Sequence, residues 1–220
     1  MNFEQNADRR TLKMSMQLCF SPTSPYARKV LMVAMEKGLA EEIEITPMPT
    51  FTTESDIWKK NPLGKVPALS TREGSVLCDS PLICEYLDSL SEEAPLVPRS
   101  GKDRWECLNF HALADGIMDA SIQRTMERRQ RPAEYQLEAV HTTQRLKIET
   151  TLKVFEQAVT EQKMGESFGL AEISLACALA YLDFRYGDED WRNGSPALTE
   201  WFDNVSKRPS FIKTSPPQGA

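Results

Sequence analysis

Two short stretches carry groups that could hold a small peptide. Asn61 to Leu69 reads Asn-Pro-Leu-Gly-Lys-Val-Pro-Ala-Leu, and Asp79-Ser80-Pro81 follows ten residues after it. Pro62, Gly64 and Pro67 forbid a helix in the first stretch, and Val66-Pro67 leads directly into a strand-like run. A proline at the head of a strand has a positional reason. An X-Pro bond turns cis at modest cost, which redirects the chain and frees the preceding N–H and C=O at a surface. Those groups can pair with an extended peptide, as an added strand would. In the second stretch Ser80 is placed as N-cap and Pro81 at the first helical position, and helix N-termini bind carboxylates. A backbone clamp beside a carboxylate clamp points to a small acidic peptide. The competing reading is that Pro67 and Ser80 shape a turn and a cap and nothing more.

Composition narrows the partners. The chain has 220 residues and a formal charge of −6. That length favours two modest domains over one large one. The acidic balance argues against nucleic acid as a partner, because phosphate recognition needs concentrated positive charge. Arg124, Arg128, Arg129 and Arg131 are the local exception and read as a solvated helix end. The five cysteines, Cys19, Cys78, Cys84, Cys107 and Cys177, show no C-x-x-C spacing, which argues against zinc and against a disulfide framework. Their odd count without a signal peptide fits a reducing cytoplasm. The longest apolar run, Ile173 to Leu182, falls short of the roughly 20 residues that span a bilayer, so no membrane partner is expected.

The elements that must position these groups follow in order. Residues 1–15 are polar and aperiodic and read as a disordered extension. Met16 to Phe20 is a short buried strand. Ser24-Pro25 repeats the cap-plus-proline pattern and opens a helix to about Lys37, with Val30, Leu31, Val33 and Ala34 on its apolar side and Gly38 as its stop. Ile43 to Thr46 alternates as a second strand, and residues 47–60 form a loop with one helical turn near Ser55 to Lys59. Val66 to Ser70 and Ser75 to Cys78 form a hairpin through Arg72-Glu73-Gly74. A helix from Pro81 to about Ser89 turns Leu82, Ile83, Tyr86 and Leu87 to one face. Together, residues 16–90 make a four-stranded mixed sheet with helices, a thioredoxin-like amount of structure.

Residues 91–103, rich in proline and charge, read as a linker. Residues 104–215 are helical throughout. Arg104 to about Arg129 and Ala133 to about Thr160 are long helices, the second with Leu137, Val140, Leu146, Leu152, Phe155 and Val159 at helical spacing. Leu170 to Phe184 is apolar on nearly every side and belongs at the centre of the bundle, with Gly169 and Glu172 as an incomplete capping box. A last helix spans about Ala197 to Lys207, and residues 216–220 form a tail.

From residue 16 to about 215 the chain resembles the soluble bacterial glutathione S-transferases. Ser-Pro-Thr-Ser-Pro-Tyr-Ala-Arg-Lys-Val from Ser21, Asn-Pro-Leu-Gly-Lys-Val-Pro-Ala-Leu from Asn61, and Asp-Ser-Pro-Leu-Ile-Cys-Glu-Tyr-Leu from Asp79 stand in that family's order and spacing. The second half, with Ala112 to Ala120, looks most like the YibF-type members of enteric bacteria. The resemblance implies an α/β thioredoxin-like N-terminal domain that binds glutathione, followed by an all-α helical-bundle domain that supplies a pocket for a small hydrophobic electrophile. It implies that the Val66 backbone, ahead of a cis Pro67, pairs with the glutathione cysteine. It assigns Asp79 and Ser80 to the γ-glutamyl amine and carboxylate. Ser24 matches the family's Ser or Cys at the start of the first helix. The electrophile pocket falls around Asn109, Leu113, Ile117, Met118 and the central helix. A two-fold homodimer and a role in detoxification also follow from the resemblance.

The implied chemistry activates a thiol carried by the ligand. A free thiol has a pKa of about 8.5 and is mostly protonated at neutral pH. A Ser24 hydroxyl aimed at sulfur, beside the positive end of a helix, stabilises the thiolate for attack on an electrophile. No metal or redox cofactor is needed. Alternatives remain open at each position. Ser24 caps its helix on the plainer reading; Ser21 and Thr23 offer hydroxyls in the same loop; Tyr26 and Cys19 read as packing; His111 and His141 read as structural or exposed. Serine where the thiol-oxidoreductase branches carry cysteine argues against chemistry through a protein thiol, and Ser24-Pro25-Tyr26 in place of Ser-Ser-Cys argues against maleylacetoacetate isomerisation. Gly116-Ile117 stands where several bacterial transferases have His-Lys. Competing functions are a non-catalytic glutathione-binding or regulatory protein, and glutathione-dependent dehalogenation, peroxide reduction or ether cleavage.

Overall fold

A computed structural model describes residues 15–164 and 167–217. The expected N-terminal extension, apart from Ser15, and residues 218–220 of the expected tail lie outside the described residues. Strand β1, Met16–Phe20, runs parallel to β2, Ile43–Pro47, with Leu18 opposite Ile45. It runs antiparallel to β3, Ala68–Ser70, which pairs in turn with β4, Val76–Cys78. The sheet order is β2-β1-β3-β4. The β3–β4 turn closes through Thr71 N–H to the Ser75 carbonyl at 2.8 Å, with Gly74 at φ 86, where a side chain would be strained.

The parallel β1–β2 pair requires a crossover, supplied by helix α1, Pro25–Glu36. Ser24 caps it, accepting the Ala27 N–H at 3.3 Å. Helix α2, Ser80–Ser89, starts one residue before its expected position. Its cap is Asp79, whose carboxylate accepts the Ser80 N–H at 2.8 Å; Ser80 is therefore the first helical residue rather than the cap. Asp79 sits at φ 79, and that backbone turn directs its side chain back over the helix start. The buried face of α2 is Ser80, Ile83, Cys84 and Leu87; Leu82, expected inward, is exposed. Strand β3 begins two residues later than expected because Val66–Pro67 is cis and turns the chain before the ladder starts.

The helical region comprises α3, Gly101–Gln130; α4, Glu138–Thr160; α5, Leu170–Tyr186; α6, Pro196–Val205; and α7, Pro209–Lys213. Helix α4 starts later than its apolar spacing suggests. Gln136 donates to the carbonyls of Arg128 and Arg131 and holds the intervening segment as a short turn. Consequently Leu137 and Leu146 face outward, and the inward stripe is His141, Gln144, Ile148, Leu152, Phe155 and Ala158. Helix α7 follows the helix expected to be the last: Pro209, expected to mark the end of that helix, opens a new one. It is held by Arg208 on Glu36 at 2.7 Å and by Arg28 over the Phe211 ring at 4.2 Å. Helix α5 is buried on nearly all sides, as expected. Its cap is glycine for a steric reason. A Cβ on Gly169 would lie 2.6 Å from the Leu96 carbonyl oxygen, which accepts the Leu170 N–H.

One apolar core runs from the sheet through α1 into α3 and α5. At its centre, Lys29 Nζ is fully buried and donates to both oxygens of Asp115 at 2.7 and 2.8 Å, with His111 Nε2 at 3.0 Å. Burial pushes the Asp115 carboxyl up, but the His111 hydrogen bond and the Lys29 charge outweigh it and hold the carboxyl below its usual range. The stability this supplies is present above the unfolded carboxyl pKa of about 3.9 and is lost as pH falls through the lower folded value. Asp115→Ala strands a buried ammonium and should lower unfolding stability by about 3–5 kcal/mol in urea melts. The double change Lys29→Met, Asp115→Leu should recover much of that loss.

Candidate active site

The cleft between sheet and bundle is built from chain turns and helix starts. The loop between β1 and α1 brings Ser21, Thr23 and Ser24 to one wall, and the first turn of α1 adds Tyr26. The turn before β3 brings Gly64, Lys65 and Val66, and the segment after β2 brings Thr50 and Phe51. This part of the cleft encloses about 230 Å³. A second compartment of about 290 Å³ continues from it, lined by Asn61, Leu63, Pro67, Asp79, Pro81 and Asp115. Tyr26, Lys65, Val66 and Asp119 line both, so the two lie side by side.

The local hydrogen bonds show which groups are committed. Asn61 braces the turn before Val66, donating to the Lys65 carbonyl at 2.8 Å and accepting the Leu63 N–H at 2.9 Å. Beyond this brace comes the cis Val66–Pro67 bond. Val66 N–H and C=O make no hydrogen bond among the described residues, which leaves a donor and an acceptor at the cleft wall. Ser80 is fully buried and its Oγ has no hydrogen-bond partner among the described residues. An unsatisfied buried hydroxyl costs about 1–3 kcal/mol and is retained where a ligand completes it. It lies in the first turn of α2, where the helix dipole favours an anion. Asp79, beside it, is exposed and offers a carboxylate for a cationic group.

On the opposite side, Tyr26 Oη donates to Asp119. Burial, then that bond, pushes its hydroxyl pKa well up. Its proton is thus held by Asp119 and is not free for a ligand sulfur. Ser24 Oγ uses a lone pair for the Ala27 N–H and keeps its own proton to donate. Cys19 is buried against Ile57, Val66 and Ala68, and burial raises its thiol pKa. Burial also pushes Cys84 and Cys177 up to about 12 and 11. These protein thiols are poor nucleophiles at neutral pH. His111 and His141 are both buried, so of the two expected roles each takes the structural one. Among the described residues no group of His, Cys, Asp or Glu side chains is assembled to hold a metal ion.

The structure brings Ser24, Val66, Pro67 and Asp79 to this cleft, with Ser80 directly behind it. It does not bring the expected electrophile-pocket residues there. Asn109 is exposed away from the cleft, Leu113 packs against the core, and Ile117 and Met118 are buried within it. The cleft instead uses the next turns of α3: Asp119, Ile122, Gln123, Met126 and Arg129, joined by Tyr181 and Arg185 of α5. With Asp115, the α3 residues Asp119, Ile122, Met126 and Arg129 recur at helical spacing and share one face. That polar and apolar stripe is the sequence signal; choosing the correct face needs the packing of α3 against α1 and α5.

Residues 23–90 match the family model described as glutathione S-transferase, N-terminal domain, and residues 120–204 match glutathione S-transferase, C-terminal domain. The chain is 37% identical to the GST-like protein YibF of Escherichia coli strain K12 over 204 residues, covering 92% of this chain and 100% of that protein. It is similar in structure to a glutathione transferase family member from Pseudomonas fluorescens Pf-5 with bound glutathione. The TM-score is 0.88 with 42% identity, over 92% of this chain and 100% of that one. A glutathione S-transferase from Methylobacillus flagellatus KT, also with glutathione bound, gives a TM-score of 0.86 with 38% identity over 92% and 100% of the respective chains.

The orphaned Ser80 hydroxyl makes a prediction that needs no ligand. Ser80→Ala loses no hydrogen bond within the protein and removes a buried unsatisfied group, so urea unfolding of the free protein should show stability unchanged or raised by about 1 kcal/mol. A loss above about 1 kcal/mol would mean that the hydroxyl has a structural partner.

Proposed function

Since the chain belongs to the glutathione S-transferase family, we propose that it binds reduced glutathione in the compartment around Val66, Asp79 and Ser80 and activates its thiolate for attack on a small electrophile in the adjoining cleft. The observation that carries this reading is the adjacency of the two compartments, which share Tyr26, Lys65, Val66 and Asp119. A ligand clamped in one delivers its sulfur to the mouth of the other.

In this mechanism the Val66 N–H and C=O pair with the backbone of the glutathione cysteine as an added strand does. The γ-glutamyl carboxylate takes the Ser80 hydroxyl at the positive end of α2, and its ammonium faces Asp79. The cysteine sulfur then lies at the start of α1. There the Ser24 hydroxyl donates to it and the helix dipole favours its negative charge, so the proton leaves for solvent more readily than from free glutathione. The thiolate forms a carbon–sulfur bond and the leaving group departs with its electron pair. The protein's chief contribution is electrostatic stabilisation of the thiolate and orientation of the two reactants. Glutathione is a co-substrate, and no step calls on a metal. The working form is a cytoplasmic homodimer, for which exposed Leu82 and Trp105 supply apolar surface.

Ser24→Ala should lower kcat/KM for an electrophilic test substrate by about tenfold or more, with Ser24→Thr restoring most of it because it keeps both the cap and the hydroxyl. Steady-state kinetics at saturating glutathione check this. An alanine variant as active as the parent would remove Ser24 from the mechanism.

A further inference from the structure

Two of the segments that wall the cleft, Thr50–Phe51 and Gly64–Val66, are joined through one side chain, that of Trp58. Its position is set by its neighbour. Ile57 is buried against Cys19, Val66 and Ala68, which seats the short turn Asp56–Lys59 on the sheet. Ser55 caps that turn, its Oγ accepting the Ile57 N–H at 3.2 Å, and the Ile57 carbonyl accepts the Asn61 N–H at 2.7 Å. Trp58 therefore projects from a fixed base, yet it remains 47% exposed. An indole that keeps nearly half its surface in water contributes little as core, and its two contacts give it another use.

The first contact is with the Gly64 turn. Gly64 stands at φ 64, and a Cβ there would lie 2.5 Å from the six-membered ring of the indole, so the ring closes on bare backbone. Gly64 leads through Lys65 to Val66 at the cleft wall, and the Asn61 side chain braces the same turn. The second contact is a hydrogen bond. Trp58 Nε1–H donates to the Thr52 carbonyl at 3.0 Å. Thr52 directly follows Thr50 and Phe51, which wall the compartment that holds Ser24. Phe51 stands at φ 63, a left-handed conformation that a bulky residue keeps only where the surrounding structure imposes it. The Trp58 bond one residue further on is a constraint of that kind.

We infer that Trp58 is a positioning residue for both substrates: its ring holds the Gly64–Val66 turn at the spacing that clamps the glutathione backbone, and its N–H holds the Thr50–Phe51 wall against which the electrophile is placed. This rests on the reading of the cleft as a glutathione transferase site. The two roles are separable because they fall on different atoms of one indole. Trp58 is not among the residues that line either compartment, so it touches neither the sulfur nor the reacting carbon. It acts on where the substrates sit and not on the stability of the thiolate. Its loss should therefore weaken binding while kcat and the pKa of the bound thiol hold, the pattern of an interaction made equally in ground state and transition state.

The test uses the full chain with chlorodinitrobenzene as electrophile; the thiolate sulfur bonds to the ring carbon bearing chlorine, and chloride leaves with the electron pair of the broken C–Cl bond. The parent is compared with Trp58→Ala and with a protein whose Trp58 indole is replaced by benzothiophene, which keeps both rings and exchanges the N–H for sulfur. Trp58→Ala should weaken glutathione binding, measured by calorimetry, and raise KM for the electrophile, each about fivefold or more. The pKa of the bound thiol, read from thiolate absorbance, should stay at the parent value. The benzothiophene form should bind glutathione as the parent does and show only the raised KM for the electrophile. Parent values of both constants in Trp58→Ala overturn the inference. So does a thiol pKa that moves with them, since the substitution would then disturb the site as a whole. Loss of glutathione affinity in the benzothiophene form contradicts the division between ring and N–H. If Trp58→Ala does not fold, Gly64→Ala takes its place: it drives a Cβ into the ring and should weaken glutathione binding, and parent affinity there contradicts the inference. If the parent binds glutathione without turnover, calorimetric affinity for the dinitrophenyl conjugate of glutathione replaces the KM. A parent that binds no glutathione contradicts the reading of the site itself.

Discussion

The buried ion pair between Lys29 and Asp115 fixes the relation of sheet to bundle. Lys29 lies near the middle of α1 and Asp115 on α3, so their contact sets how the first helix of one layer meets the longest helix of the other. Apolar packing alone would allow α3 to rotate or slide by a residue at modest cost. A fully buried ammonium tolerates no such shift, because losing either oxygen of its partner leaves charge stranded in a low dielectric. The pair thus contributes more to uniqueness than to net stability. Its consequence is functional: with Asp115 fixed, the next turns of the same helix face must present Asp119, Ile122, Met126 and Arg129 to the cleft.

Helix α1 links this constraint to the chemistry. Its N-terminus carries Ser24, its second residue Tyr26 reaches Asp119, its centre holds Lys29, and its last residue Glu36 takes Arg208 and Ser210. One rigid element therefore positions the hydroxyl, orients the cleft wall and anchors the C-terminal helix. The opposite wall is arranged differently. There the protein leaves polar groups unsatisfied at the Val66 backbone and the Ser80 hydroxyl. Such groups cost stability in the free protein and gain it on binding, which turns binding energy into orientation of the reacting sulfur.

The parts legible in the sequence were those written in local chemistry. Ser24-Pro25 marks a helix start through capping geometry, Val66-Pro67 marks a turn, and Arg72-Glu73-Gly74 closes a hairpin; each depends on a few neighbouring residues. The apolar run of α5 announced its central position because no face of it could be left in water. Features that depend on distant contacts were not legible. Asp79 rather than Ser80 caps α2 because of a backbone turn that composition does not reveal. Leu82, Leu137 and Leu146 satisfy helical spacing yet face outward, since spacing allows several apolar stripes and tertiary packing selects one. The same ambiguity put the electrophile pocket at Asn109, Leu113, Ile117 and Met118, whose apolar members the core takes. The buried lysine and histidine were hidden for the opposite reason: polar residues read as surface until a partner brings them inward.

The central claim is that the start of α1 stabilises a thiolate carried by bound glutathione. The most direct measurement is the ultraviolet absorbance of that thiolate, titrated against pH with protein in excess over glutathione. Stabilisation by Ser24 and the helix dipole predicts an apparent pKa at least about one unit below the free thiol value of about 8.5. An unshifted titration of demonstrably bound glutathione would contradict the account, leaving a site that holds the peptide without activating it.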